Sequence, residues 1–205
     1  MIKKIREHSD ICISVDTYKP DVAEAAMKEG ADMINCIYGA DPDPELLKIV
    51  ASYPGGLCLM HMRGEPGTMQ SETEYDDIIN EIYSALRSSY EKAVLAGIPE
   101  DSIMIDPGIG FGKSVEGNLR LIKNIHDFRS IGCPVLIGVS RKSFIGKILD
   151  NGTGDRLSGT IAANTAAYIF GADIFRVHDV KENADALNTA RSILMIKSEN
   201  IGRIS

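Results

Sequence analysis

The sequence is short of positive charge. Its 22 lysines and arginines are outnumbered by 29 acidic residues, for a net charge of −7. That balance argues against a general nucleic-acid surface or an anionic-membrane surface. A phosphate-bearing ligand would have to be held by a few local basic groups. Long apolar runs are also missing, and nothing approaches the roughly 20 residues needed to span a bilayer. MIKKIREHSD at the start is basic but has no apolar region behind it, so it does not read as a secretory signal. The four cysteines, Cys12, Cys36, Cys58 and Cys133, form no C-x-x-C pair and do not cluster with histidine at metal-ligand spacing. They are expected to be buried, reduced thiols of a cytoplasmic protein. Low-complexity segments and linkers are absent too, so residues 1–205 read as a single domain.

One rhythm runs through the chain: a short apolar run, a polar or Gly-rich turn, then a longer stretch with helical periodicity. The runs are Ile11–Val15, Met33–Ile37, Leu57–Met62, Ile103–Asp106, Val135–Val139 and Ile174–Val177. The periodic segments are Pro20–Glu29, Pro44–Ser52, Glu74–Ala96, Glu116–Ile131, Arg156–Phe170 and Lys181–Lys197, with a short one at Ser143–Leu149. Pro20 and Pro44 suit the first turn of a helix. Gly30, Gly97, Gly132 and Gly171 fall where a left-handed C-cap is wanted. Alternation without hairpins implies a parallel sheet with helical crossovers.

An open doubly wound sheet and a (β/α)₈ barrel both fit that pattern. An open sheet gathers its chemistry at one switch point, whereas a barrel draws on many strand ends around one mouth. Here polar residues leave nearly every strand: Asp16, Asn35, His61, Asp106, Ser140-Arg141-Lys142 and Arg176/His178. This favours the barrel. Six units are visible where a barrel has eight, and MIKKIREHSD reads as the tail of a helix entering the Ile11 strand. The expectation is an incomplete barrel that lacks its first two units.

The most informative segment is DPGIGFGK, Asp106–Lys113. A strand runs into an aspartate and a turn whose three glycines are expected to let the backbone approach a planar ligand, with Phe111 covering its face. It is no nucleotide P-loop, because Gly110 and Gly112 lie too close to Lys113. In GVSRKSFIG, Gly138–Gly146, Lys142 can point a compact ammonium into the mouth. In FRVHDV, Phe175–Val180, Arg176 and His178 are two apart on an extended segment and should face the same way, a natural anion site. The bland alternative pairs Arg176 with Asp179. Asp16 in SVDT and Asn35 in MINCI are equally suited to capping helices. In CLMHMRG, Met60 and Met62 share one face and His61 the other, and both read first as structural.

Taken in order and spacing, SVDT, MIN, LMHMRG, DPGIGFGK, SRKSFIG, DRLSGT and RVHDV resemble the dihydropteroate synthase family of pterin-binding barrels, over essentially the whole chain. The resemblance implies a (β/α)₈ barrel that condenses 6-hydroxymethyl-7,8-dihydropterin diphosphate with p-aminobenzoate, giving 7,8-dihydropteroate and diphosphate in folate biosynthesis. It implies a pterin pocket of Asp16, Asn35, Ile37, Met60, Asp106, Phe111 and Lys142. Asp106 would accept from the guanidine-like edge, Asn35 would both donate and accept, and Lys142 would donate to the C4 carbonyl. Arg176 and His178 would hold the diphosphate, and Lys142, Ser143 and Phe111 would flank p-aminobenzoate. Lys142, Arg176 and His178 thus stand as the catalytic candidates. The resemblance further implies Mg²⁺, a homodimer, a cytoplasmic setting, and no nucleic-acid or membrane partner.

Two departures mark the likeness. Cys36 stands where the family usually has Asp. No segment before Ile11 resembles the family's first two strands, whose loops carry the Mg²⁺-binding Asn and the cover over the substrates. A pterin-binding module without catalysis is therefore one alternative, and a methyltetrahydrofolate-dependent methyltransferase domain another. Lys142 and the Arg176/His178 pair speak against the methyltransferase, whose reaction has no diphosphate to hold.

Overall fold

The structure is a computed structural model that describes residues 1–39, 41–64, 73–151 and 155–196. Its elements alternate as the sequence predicts: α1 (Ile2–Arg6), β1 (Ser14–Asp16), α2 (Pro20–Lys28), β2 (Met33–Cys36), α3 (Pro44–Ala51), β3 (Gly56–Met60), α4 (Ile78–Leu95), β4 (Ile103–Asp106), α5 (Val115–Lys123), α6 (Ile125–Arg129), β5 (Leu136–Ile137), α7 (Ser143–Ile148), α8 (Leu157–Ile169), β6 (Ile174–Phe175) and α9 (Val180–Met195). Among the described residues no helix is long and apolar enough to cross a membrane.

The strands pair in parallel and in chain order. Asp16 lies opposite Asn35, Asn35 opposite Cys58, and Met60 opposite Asp106. A bridge between Ile105 and Val135 joins β4 to β5, and Leu136 lies opposite Ile174 on β6. The result is an arc of six parallel strands with every C-terminal end on one rim. Leu57, Cys58, Leu59 and Met60 are all buried, as a strand covered on both faces requires. The outward face packs on the apolar stripes of the helices, with Leu46, Ile82, Leu86, Leu121, Ile125 and Phe128 fully buried. Among the described residues no backbone ladder joins β6 to β1. Side chains do bring the two ends together: Arg176, one residue past β6, forms a 2.5 Å ion pair with Asp16 at the end of β1.

Three local expectations are corrected. The first strand begins at Ser14, not Ile11. Arg6 donates to the Ile11 carbonyl at 2.5 Å and Asp32 accepts from the Ile13 N–H at 2.7 Å, so side chains satisfy backbone groups that a ladder would otherwise pair. Cys12 is consequently exposed, and the buried-thiol expectation holds only for Cys36, Cys58 and Cys133. The Glu116–Ile131 segment is two helices. Asn124 leaves helical geometry at φ −109°, ψ 27°, and its side chain bonds back to the Arg120 carbonyl at 2.7 Å. The Glu74–Ala96 helix starts only at Ile78, where the Asp77 carboxylate caps the Asn80 N–H. The last helix runs to Met195, and its expected end at Lys197 lies outside the described residues. The four expected glycine C-caps all have the left-handed backbone.

Candidate functional site

The parallel register sets Asp16 beside Asn35 and, two residues further along the strands, Met60 beside Asp106. Asn35 is 5% exposed, and its amide nitrogen donates to Asp16 at 2.9 Å. Its amide oxygen is buried and has no hydrogen-bond partner. Leaving a buried acceptor unpaired costs about 1–3 kcal/mol, so such an atom needs a reason. Asp16 takes one of the two amide N–H bonds, and the oxygen is the acceptor left open to a ligand.

Asp106 is also 5% exposed, and one carboxylate oxygen accepts from the Gly108 N–H at 2.7 Å. Burial pushes its carboxyl up. The Lys142 ammonium, the Gly108 N–H, and then Lys113 and Arg176 hold it back. Lys142 donates to the Ile109 carbonyl and lies 4.2 Å from the centre of the Phe111 ring. Burial pulls its pKa down to about 8, against the upward pull of Asp106. Just before it, Arg141 adopts φ +58°, its N–H held by Thr160 Oγ1 at 3.0 Å and its guanidinium by Asp179 at 2.5 and 3.0 Å. Arg141 is thus anchored to the start of α9, which leaves Lys142 as the cation turned to the rim.

That ion pair also answers the bland reading of Arg176. Asp179 belongs to Arg141, and Arg176 reaches to Asp16 instead. His178 is exposed and sits over the end of β5. Ser140 Oγ accepts from the His178 backbone N–H at 3.1 Å and lies 2.8 Å from ring Nδ1. A hydroxyl proton directed at Nδ1 leaves the ring proton on Nε2, where it can donate outward. Arg176 and His178 are thus fixed by different partners, Asp16 on β1 and Ser140 past β5. Ile37 and Phe111 are half-buried near the rim, Met60 is fully buried, and Ser143 is exposed at the start of α7.

The glycines of DPGIGFGK also have a role within the protein. Gly108 has φ +71°, and a Cβ there would meet the His61 carbonyl oxygen at 1.8 Å; at Gly110, φ +85°, it would meet Lys142 Cδ at 2.7 Å. The close approach is to the protein's own β3 exit and to Lys142, so these glycines seat the loop on the rim. Gly108→Ala combines left-handed strain with a backbone clash. It is expected to cost roughly 3–5 kcal/mol of stability or to prevent folding. Urea unfolding of the variant beside wild type checks this, and a midpoint within error of wild type would show that the loop is not seated there.

Two contributors escaped the sequence reading, and a third, Ser140, was named only as a polar residue at a strand end. Lys113 is 4% exposed behind the loop, against His61, which is 7% exposed. Asn118 is 2% exposed, accepts from the Gly110 N–H at 2.6 Å and donates to the Ser114 carbonyl at 2.9 Å, stapling the loop to α5. Ser140 orients His178. The only signal for Lys113 was a lysine closing a glycine-dense turn. Asn118 carries none, and Ser140 only its place where an apolar run stops.

The rim therefore holds two buried acceptors, a lysine ammonium beside an aromatic ring, and an arginine with a histidine N–H at the far edge. That set suits a planar heterocycle with a donor edge and a trailing anion. A family described as pterin binding enzyme matches residues 1–178. The chain is 42% identical over 194 residues to the dihydropteroate synthase of Synechocystis sp., covering 94% of this chain and 67% of that protein. The dihydropteroate synthase of Xanthomonas albilineans in complex with 7,8-dihydropteroate superposes with a TM-score of 0.87 at 35% identity, covering 96% of this chain and 74% of that one. The Thermus thermophilus enzyme in complex with 4-aminobenzoate gives 0.87 at 33% identity, covering 94% and 78%.

Proposed function

The chain belongs to the pterin binding enzyme family, and we propose that it is a dihydropteroate synthase, with the (β/α)-barrel rim as its active site. The reaction displaces diphosphate from the methylene carbon of 6-hydroxymethyl-7,8-dihydropterin diphosphate by the amine of p-aminobenzoate. One observation carries the assignment of the pocket. The buried Asn35 oxygen has no partner and sits two strand positions from the buried carboxylate of Asp106, so two acceptors await the donor edge of a pterin.

In this reading Asp106 and Asn35 accept from the ring, and Lys142 gives up the Ile109 carbonyl to donate to the C4 oxygen. Met60, Ile37 and Phe111 supply the apolar walls. Arg176 must leave Asp16 to take the diphosphate, with the outward N–H of His178 beside it. As the carbon–oxygen bond breaks, positive charge grows on the pterin methylene and negative charge on diphosphate. Fixed charges at the two ends of the site stabilise that separation. Lys142, Ser143 and Phe111 flank the incoming arylamine, whose C–N bond replaces the broken one. Mg²⁺ would neutralise diphosphate charge. Among the described residues no three His, Cys, Asp or Glu side chains gather to hold a metal, so the diphosphate oxygens themselves would supply most of its ligands. The reading extends to a homodimer in the cytoplasm. Exposed Ile169, Val180, Ile193, Leu194 and Met195 on and beside α8 and α9 supply apolar surface for such an interface.

Two measurements test this. Release of diphosphate from the pterin substrate with p-aminobenzoate separates a synthase from a module that only binds pterin. Arg176→Ala is expected to weaken binding of the pterin diphosphate by at least about 1.5 kcal/mol, the scale of a charge-assisted hydrogen bond, and binding of the bare pterin by much less. Equal losses in calorimetry would make Arg176 a structural partner of Asp16 only.

A further inference from the structure

The reading of the rim as a pterin site leaves one buried ion unused. Lys113 closes the Gly-rich loop and is 4% exposed, yet its ammonium points away from solvent. It donates to the Phe111 carbonyl at 2.7 Å and the His61 carbonyl at 3.4 Å, and lies 3.2 Å from His61 Nδ1. His61 is held neutral, because burial and then the charges of Lys113 and Arg63 pull its pKa down to about 3. Nδ1 therefore presents a lone pair, and all three contacts are acceptors for one ammonium. An unpaired ammonium in such a place would be costly, and these three acceptors are what offsets its burial. The ammonium lies against Gly108, whose N–H donates to Asp106, the carboxylate that the pterin needs ionised.

We infer that Lys113 is a positioning residue of the pterin site: its buried ammonium ties the Gly-rich loop to the end of β3 and balances the charge of Asp106. The tie acts through Phe111. Lys113 fixes its carbonyl, and the Phe111 ring in turn lies under Lys142. The balance acts through space. Asp106 is faced by Lys142 past β5, Lys113 past β4, Arg176 past β6 and the Gly108 N–H. Lys113 is faced by Asp106, Lys142 and Arg63, and burial pulls its own pKa down to about 7. Lys142 and Arg176 are nearer solvent and are expected to be drawn onto the ligand. Lys113 alone among these cations is committed to the protein side of the carboxylate.

The test rests on the pterin reading and is built to separate the two. Lys113→Gln keeps a donor for the Phe111 carbonyl and loses the charge; Lys113→Arg keeps the charge. Binding of 6-hydroxymethylpterin is measured by calorimetry from pH 6 to 8 for both variants and wild type, with circular dichroism to confirm folding. No binding to wild type defeats the pterin reading itself. If Lys113 balances Asp106, the Gln variant binds more weakly at pH 6, with about tenfold as the ceiling for one unit in the carboxyl pKa, and the ratio to wild type shrinks as pH rises. The Arg variant follows the wild-type profile. A lysine that only packs gives a ratio that does not change with pH, and that result overturns the inference. So does a Gln variant that fails to fold while the Arg variant folds, since the charge would then belong to the fold and not to the site.

Discussion

Asp106→Ala is expected to weaken pterin binding by about 1.5–3 kcal/mol, the range for a hydrogen bond to a charged group, which is roughly 10- to 150-fold in affinity. The reasoning starts from burial. A carboxylate at 5% exposure has given up its water, and one of its oxygens is already occupied by the Gly108 N–H. What remains is a desolvated acceptor within the field of Lys142, Lys113 and Arg176, a site in which each donor from the ligand counts for more than it would at a surface. Removing it leaves the ring's donor edge unpaired in the same dry place. Asp106→Asn separates charge from shape. It keeps one acceptor of the right size but turns an N–H toward the ligand's donors or toward Gly108, so it too should lose at least about tenfold. Titration of a bare pterin into wild type and both variants decides the matter, and affinities equal to wild type would remove Asp106 from the site. Diphosphate is left out of this experiment on purpose, because Arg176 could otherwise mask the loss.

Much of this was legible before any coordinates, for identifiable reasons. Parallel strands with helical crossovers follow from apolar runs separated by periodic segments, and the observed register then places each strand-end residue on one rim. Asp106, Asn35 and Lys142 could be named because each is a polar residue where an apolar run stops. The pairings could not. Nothing in FRVHDV says that Arg176 crosses to a residue 160 positions away while the adjacent Asp179 goes to Arg141. The glycines of DPGIGFGK were read toward a ligand because a sequence shows flexibility but not what lies opposite. The structure puts the β3 carbonyls there. Lys113 was passed over for the reason that makes it informative: lysine is rarely buried, so a lysine in a loop is read as solvated. The first strand was drawn too long because Ile11 and Cys12 look apolar, whereas Arg6 takes the Ile11 carbonyl and Asp32 the Ile13 N–H.

Lys142 should set the alkaline limit of the reaction, and its effect can be told apart from unfolding by sign. Burial lowers its pKa to about 8, so the ammonium is present below that pH and lost above it. If the charged form donates to the pterin carbonyl, kcat/KM, which reports the free enzyme, falls as pH rises through about 8. Lys142→Met should reduce turnover roughly 10²-fold, the scale seen when one preorganised donor is removed, and its remaining activity should lack that limb. Stability moves the other way. A lysine whose folded pKa lies below its unfolded value of 10.5 binds fewer protons folded than unfolded as pH climbs past the folded value. Stability from this group therefore rises with pH. Lys113, lowered to about 7, acts in the same direction from a lower pH. The buried thiols Cys36 and Cys133, raised from 9.0 to about 11, oppose this trend only from about pH 9 upward. Between about pH 7 and 9 wild type should therefore lose activity while these groups raise its melting temperature, and in Lys142→Met the melting temperature should climb less steeply. An alkaline limb that survives unchanged in Lys142→Met would assign it to another group, and a wild-type melting temperature that falls with activity over the same window would assign it to unfolding.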